Sequence, residues 1–202
     1  DGDVRIRVMG LTTFTNLRHP GKKYVAKMKM AQMKKRLAKK VRTVRQEDPN
    51  ALLVVSIHWG PENRTRPTGE QRKIAHGLID AGADVIMGHH THVVHPMEVY
   101  KGGLIMYSLG NLLFDQPSTL QREAALATVD FQKTSHADGT RWTLGQVSLH
   151  PFYREEKSKA PTPASPARAK SLLQRVKKLS TKMYGTMFKM EDGRLTWELS
   201  RP

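Results

Sequence analysis

Short apolar runs bounded by turn residues alternate along this chain with stretches in which apolar positions recur at spacings of three and four. Residues 4–9, 52–57 and 84–87 are runs of strand length. Between the first two, residues 25–46 place Ala26, Met30, Met33, Leu37, Val41 and Val44 on one stripe with lysine and arginine around it, which predicts an amphipathic helix. Methionine fills core space well, so the Met-rich stripe reads as packing rather than as a ligand site. Between the second and third runs, Thr68 with Gln71 three residues on makes a capping box. Ile74, Ala75, Leu78 and Ile79 then line one face, and Gly82 ends the helix.

The remaining chain is richer in strands. Residues 97–100 and 104–107 flank Lys101-Gly102-Gly103, a hairpin signature, and Ser108-Leu109-Gly110-Asn111 follows as a tight loop. Residues 124–131 and 142–149 alternate as strands. A basic helix is expected around 169–183, then a hairpin of 186–190 and 194–199 turned by Asp192-Gly193. Residues 157–168 are rich in Ala, Pro and Ser and read as a flexible linker. The expectation is an α/β fold with the three apolar runs in one sheet. It divides into a main unit at 1–153, a basic linker at 154–168, and a basic helix with terminal hairpin at 169–202.

The 202 residues suffice for one domain with a real core, and the absence of cysteine excludes disulfides, thiolate metal sites and a cysteine nucleophile. There is no run of about 18 apolar residues and no signal-peptide pattern, so this stretch is expected neither to span a membrane nor to export itself. Asp1-Gly2-Asp3 leads straight into a strand, as in a fragment that opens in mid-fold.

The net charge of +16 raises nucleic acid as a partner, but its distribution argues otherwise. Residues 18–45 hold 12 Lys/Arg and no acid; residues 46–153 carry a net −3; residues 154–182 carry a net +7. Two flanking segments therefore own the charge. Such blocks are solvated faces or polyanion-binding patches, and here Lys27, Lys34, Lys35 and Lys39 are the candidates for gripping a polyanion. Few aromatics interleave with the basic residues and no nucleic-acid-binding motif is present, which makes nucleic acid the weaker partner.

The candidate chemistry lies in the acidic middle. Gly88-His89-His90-Thr91-His92 follows the third apolar run directly, and His58 closes the second. Open α/β sheets place ligands at such strand ends. Imidazole suits divalent metals of the zinc, manganese or iron type, whereas magnesium and calcium prefer oxygen. In extended backbone His90 and His92 would face the same way, and His58 could supply a third nitrogen. The alternative is a histidine-rich polar loop whose rings bond backbone carbonyls.

The ordered set Val54-Val55-Ser56-Ile57-His58-Trp59-Gly60, Pro67-Thr68-Gly69-Glu70-Gln71, Ile79 through Val93 and Tyr107-Ser108-Leu109-Gly110-Asn111 resembles the CapA family. This is the capsule-synthesis or poly-γ-glutamate biosynthesis family of the calcineurin-like metallophosphoesterase superfamily. The likeness covers residues 4–150 or so. It implies a four-layer α/β/β/α sandwich with a two-metal centre at the strand ends, and a bacterial protein at the cell surface or membrane. It implies that His58, His90 and His92 bind metal. His89, His95 and Asn111 are then supporting positions around those ligands, with a polar loop residue as the plainer account of His95 and a tight Gly-Asn turn as that of Asn111. His19, His76, His136 and His150 have no such setting and are expected at the surface or in packing.

One departure qualifies the resemblance. The superfamily's aspartates, bridging carboxylate and Asn-His pair belong to the N-terminal half of its fold, and none of those motifs is present. Asp1 and Asp3 precede the first strand and so lie at its opposite end. Three histidines can hold one ion with open positions, but two-metal hydrolysis needs carboxylates to hold a pair about 3.5–4 Å apart. Two functions follow as expectations. One is a metallophosphoesterase-type hydrolase completed by the missing half; the other is a non-catalytic component that keeps the fold and binds polyglutamate or another polyanion.

Overall fold

The computed structural model describes residues 4–13, 26–115, 118–136, 139–155 and 160–198, and at 135–136 and 139–141 the backbone alone. Its first sheet has the order β1-β2-β3-β5-β4, formed by β1 (Ile6–Thr12), β2 (Leu52–His58), β3 (Val85–His89), β4 (Met97–Tyr100) and β5 (Gly103–Met106). β1, β2, β3 and β5 run parallel, and β4 returns antiparallel through the Lys101-Gly102 turn. The three apolar runs thus share one sheet, as their pattern predicts.

Helices α1 (Met30–Glu47) and α2 (Gly69–Ile79) cover one face of this sheet. Met33, Leu37 and Val41 of α1 are buried together with Ile74, Ala75 and Leu78 of α2 against Leu53, Val55, Ile57 and Ile86. Burying such side chains contributes about 1.5–3 kcal/mol each relative to exposure. The capping box is formed: Gln71 N donates to Thr68 Oγ1 at 3.1 Å and Thr68 N donates to Gln71 Oε1 at 3.0 Å. Lys34, Lys35 and Lys39 are exposed on α1, but the helix begins five residues later than the stripe predicts. Lys27 consequently lies outside it, bridging Thr12 at the end of β1.

The other face meets a second sheet of order β6-β7-β10-β9, with β6 (Glu123–His136), β7 (Gly139–Tyr153), β9 (Lys189–Glu191) and β10 (Arg194–Glu198). α3 (Pro166–Tyr184) packs against β4, β7 and β10, and its Leu172, Leu173 and Val176 join Val85, Leu104, Val147 and Leu149 in a second core. The C-terminal elements therefore share a core with the main sheet. α3 starts three residues before its expected position because Pro166 fits the first helical turn, and β8 (Thr162–Pro163) pairs with β7. The stretch expected as linker is thus partly ordered by strand pairing. In the closing hairpin Asp192 and Gly193 take the positive φ values, 48° and 71°, of a tight turn. Leu199 lies outside the described residues, as do Asp1, Asp3 and His19; of His136 only the backbone is described.

Candidate metal centre

Parallel pairing puts the C-terminal ends of β2 and β3 side by side, with His58 opposite His89 in register. Both strands run further than the apolar runs suggest, so His58 and His89 end strands rather than open loops. Side-chain alternation sends Leu53, Val55 and Ile57 into the helix-side core, which leaves His58 on the other face. A close contact fixes this corner. A Cβ on Gly88 would stand 2.1 Å from the Tyr107 carbonyl oxygen and 2.5 Å from Trp59 Nε1. The buried Trp59 indole donates to that same oxygen at 3.3 Å.

Beyond β3 the backbone turns instead of continuing extended. His90 and His92 have φ values of 93° and 61°, a region that side-chain-bearing residues enter rarely and usually where the surroundings enforce it. Thr91 between them is fully buried; its hydroxyl donates to the Val93 carbonyl at 3.1 Å, and its own carbonyl accepts from Asn63 N at 2.9 Å. His90 and His92 meet because this loop coils around Thr91. The extended geometry expected from the sequence is replaced, while the convergence remains. The ring centroids of His58 and His90 are 4.5 Å apart, and those of His90 and His92 are 5.9 Å apart.

The tightest group of ligating atoms includes a residue the sequence reasoning missed. Glu62, His90 and His92 each offer one ligand atom, all within 4.8 Å of one another, and His90 Nε2 is 3.9 Å from Glu62 Oε1. Glu62 sits in the loop Gly60-Pro61-Glu62-Asn63, just past the histidine that ends β2. A carboxylate four residues after that histidine was the available signal. One carboxylate with two or three imidazoles is a donor set that suits zinc, manganese or iron.

Burial shapes the protonation of this cluster. The pKa values of His58, His89 and His90 are all pushed down, chiefly by desolvation of the charged ring. Neighbouring histidine charge adds to each shift, and at His58 and His90 the Glu62 carboxylate opposes it. Neutral imidazole, the form that ligates metal, is thereby favoured.

The supporting positions divide by contact. His92 Nδ1 donates to Asn111 Oδ1 at 2.9 Å, and Asn111 Nδ2 in turn donates to the Gln121 carbonyl at 3.0 Å. Gln121 Nε2 reaches Asn63 Oδ1 at 2.6 Å and so ties this chain back to the Glu62 loop. Phe114 stacks on His92 with centroids 5.0 Å apart. His89 turns to Ser56, whose hydroxyl is 3.0 Å from His89 Nε2. His95 is fully buried and donates from Nε2 to the Arg64 carbonyl at 2.7 Å. Its pKa is pushed down to about 4, mainly by burial. His76 lies elsewhere, 2.8 Å from Glu98 Oε1 and stacked on Tyr100, and His150 faces Thr128. A larger cavity of about 860 Å³, between Pro151, Pro163, Leu173 and Met190, shares no residue with the cluster.

No helix among the described residues is long and apolar enough to cross a membrane. The PGA biosynthesis protein CapA of Bacillus subtilis is 38% identical over 148 residues, which are 73% of this chain and 36% of that protein. The capsule biosynthesis protein CapA of Bacillus anthracis is 49% identical over 75 residues, 37% of this chain and 18% of that protein. A probable polyglutamine synthesis accessory protein of Mycobacterium tuberculosis is 37% identical over 67 residues, 33% of this chain and 18% of its own length. The chain thus spans about a third or less of the curated relatives it matches. The family model described as bacterial capsule synthesis protein PGA_cap matches residues 2–116, a stretch that contains Glu62 and every histidine of the cluster, and the chain belongs to that family.

Proposed function

We propose that this chain is the histidine-bearing part of a metal-dependent, phosphoesterase-type hydrolase that serves capsule or poly-γ-glutamate synthesis. The observation that carries the reading is the convergence of Glu62, His90 and His92 within ligating distance, with His58 beside them, at the ends of parallel strands. A divalent ion held there would supply Lewis-acid polarisation of a phosphoryl or carbonyl group and an activated water. His90, His92 and Glu62 would hold it, His58 would complete the set, and Asn111 would fix the His92 ring.

The remaining acidic ligands would come from the rest of a longer protein, completing a four-layer sandwich. β1 supports this. Among the described residues it is the outer strand of its sheet, bridged on its far side at Thr12, with its Ile6 and Val8 exposed by 57% and 65% and the preceding Val4 by 54%. Exposed apolar side chains at alternate positions along an edge strand and its lead-in are the mark of a surface meant to be covered. The relatives, of which the chain spans so little, have ample length for such a cover.

The test compares the 202-residue chain with one extended upstream. Calorimetry should find one ion of zinc or manganese per short chain, and phosphoesterase turnover should require the extended form and vanish in His90→Ala. Turnover by the short chain equal to that of the extended one would refute the division of ligands.

The exposure of Lys34, Lys35 and Lys39 along α1 favours a second reading, a polyanion-binding component that need not turn over. Such binding would fall steeply with salt through counterion release and would survive His90→Ala. Changing the three lysines to Glu would weaken it. Unaltered binding after that triple substitution removes the reading.

A further inference from the structure

We infer that Arg64 and Arg66 form an oxyanion-binding subsite beside the metal centre, taking a carboxylate or phosphate group of the substrate processed there. The inference rests on the proposed metal-dependent function and adds the chemical class of what binds next to the ion.

Pro61, Arg64, Thr65, Arg66 and Thr68 line a shallow pocket of about 390 Å³. The pocket begins one residue before Glu62, so loop and metal cluster are one structure. Both arginines are exposed, and among the described residues neither pairs with a carboxylate. The other acid of this stretch, Glu70, is the second residue of α2.

The backbone beneath the guanidinium groups is held from several sides. Asn63 N donates to the Thr91 carbonyl, Gln121 Nε2 donates to Asn63 Oδ1, and His95 Nε2 donates to the Arg64 carbonyl. The capping box fixes the far end at Thr68. This loop is also bonded at Thr91, between His90 and His92, so the subsite and the metal ligands keep a set spacing. A rigid loop costs little ordering entropy on binding, which lets two arginines act as a prepared receptor. Guanidinium forks match the two oxygens of a carboxylate or phosphate, and they stay charged at any working pH.

His95 gives this receptor its support. It is a fully buried histidine used on a backbone carbonyl of an exposed loop. That bond positions Arg64 and touches no metal ligand.

The probes are inorganic phosphate and pentaglutamate, titrated calorimetrically into the 202-residue chain without metal and at low salt. Arg64→Ala with Arg66→Ala should lower affinity for the preferred probe at least tenfold, while Lys34→Ala, Lys35→Ala and Lys39→Ala together change it less than twofold. Arg64→Lys with Arg66→Lys should recover only part of the loss, because charge is kept and the fork is lost. The probe bound more tightly identifies the source of the oxyanion. Circular dichroism and melting temperature check that the variants are folded. His90→Ala should abolish metal binding and leave probe binding intact. Arginine-dependent probe binding in a chain that takes no metal would keep the subsite and remove the hydrolase reading. Equal affinity in the double alanine variant, or a loss equal to that of the three-lysine variant, would overturn the subsite.

Discussion

His92 donates from Nδ1 to Asn111 Oδ1 at 2.9 Å, which fixes the tautomer and leaves Nε2 as the nitrogen with a free lone pair. Asn111 cannot rotate to offer its amide nitrogen instead, because that nitrogen already donates to the Gln121 carbonyl. Such outer partners of a ligating histidine govern ring orientation and basicity, and losing one costs about 10–100-fold in metal affinity. Asn111→Ala is therefore expected to weaken zinc or manganese binding by that factor, measured by competition with a chromophoric chelator. An unchanged constant would detach Asn111 from the site.

Within the cluster, removing ligands should give graded losses. His90 lies between Glu62, His58 and His92, so His90→Ala should abolish stoichiometric binding. Glu62→Gln keeps the shape and removes the charge; it should weaken binding while stoichiometry persists. Titration calorimetry of the two variants reads both outcomes, and a Glu62→Gln chain that binds like the parent would show that the carboxylate is no ligand.

Stability should fall with acid in a definite window. The pKa of His95 drops from 6.5 to about 4 on folding, so the unfolded chain binds its proton first. The contribution is whole above 6.5, declines as pH falls, and is spent near 4. Its size is roughly 3 kcal/mol, from about 1.4 kcal/mol per tenfold change in proton affinity. His58, His89 and His90 are shifted in the same sense and add to the decline. His95→Gln, which retains an N–H donor for the Arg64 carbonyl, should flatten the curve of urea-unfolding free energy between pH 7 and 4. A variant curve as steep as the parent's would contradict this assignment.

Gly88→Ala should be among the most damaging single changes. The added carbon meets the Tyr107 carbonyl and the Trp59 indole, neither of which can swing away, since both side chains are fully buried. A loss of about 3 kcal/mol is expected, as for overpacking a rigid core. Chemical denaturation measures it. Because His90 lies two residues further on, metal affinity should drop as well.

Much of this arrangement could be read from the sequence, for identifiable reasons. The three apolar runs, the Thr68–Gln71 box and the Asp192-Gly193 turn are local patterns, and each appears where its pattern puts it. The meeting of His58 with His90 and His92 followed from strand ends lying side by side. What escaped depended on longer-range terms. Glu62 sits at the cluster in a loop that Asn63 ties to the Thr91 carbonyl and to Gln121, contacts between distant stretches of chain. The positive φ values at His90 and His92 contradict their local preference and are held by buried Thr91. Pairing of Thr162 with Tyr153 ordered part of a segment whose composition reads as linker. Lys27 left the helix for the edge of β1, where a backbone bridge at Thr12 outweighed the weak propensity of a first turn.

The bare outer strand also bears on how this stretch behaves in solution. Among the described residues, Ile6 and Val8 of β1 and the preceding Val4 form an exposed apolar row on the outer strand, a template on which a second molecule can add a strand. At low ionic strength the +16 charge keeps molecules apart, but at about 1 M salt the repulsion reaches only about 3 Å. Light scattering should therefore record association that rises with salt and is suppressed by Val8→Lys. Colloidal stability here is an electrostatic property, set by lysines and arginines most of which lie outside the strand that endangers it.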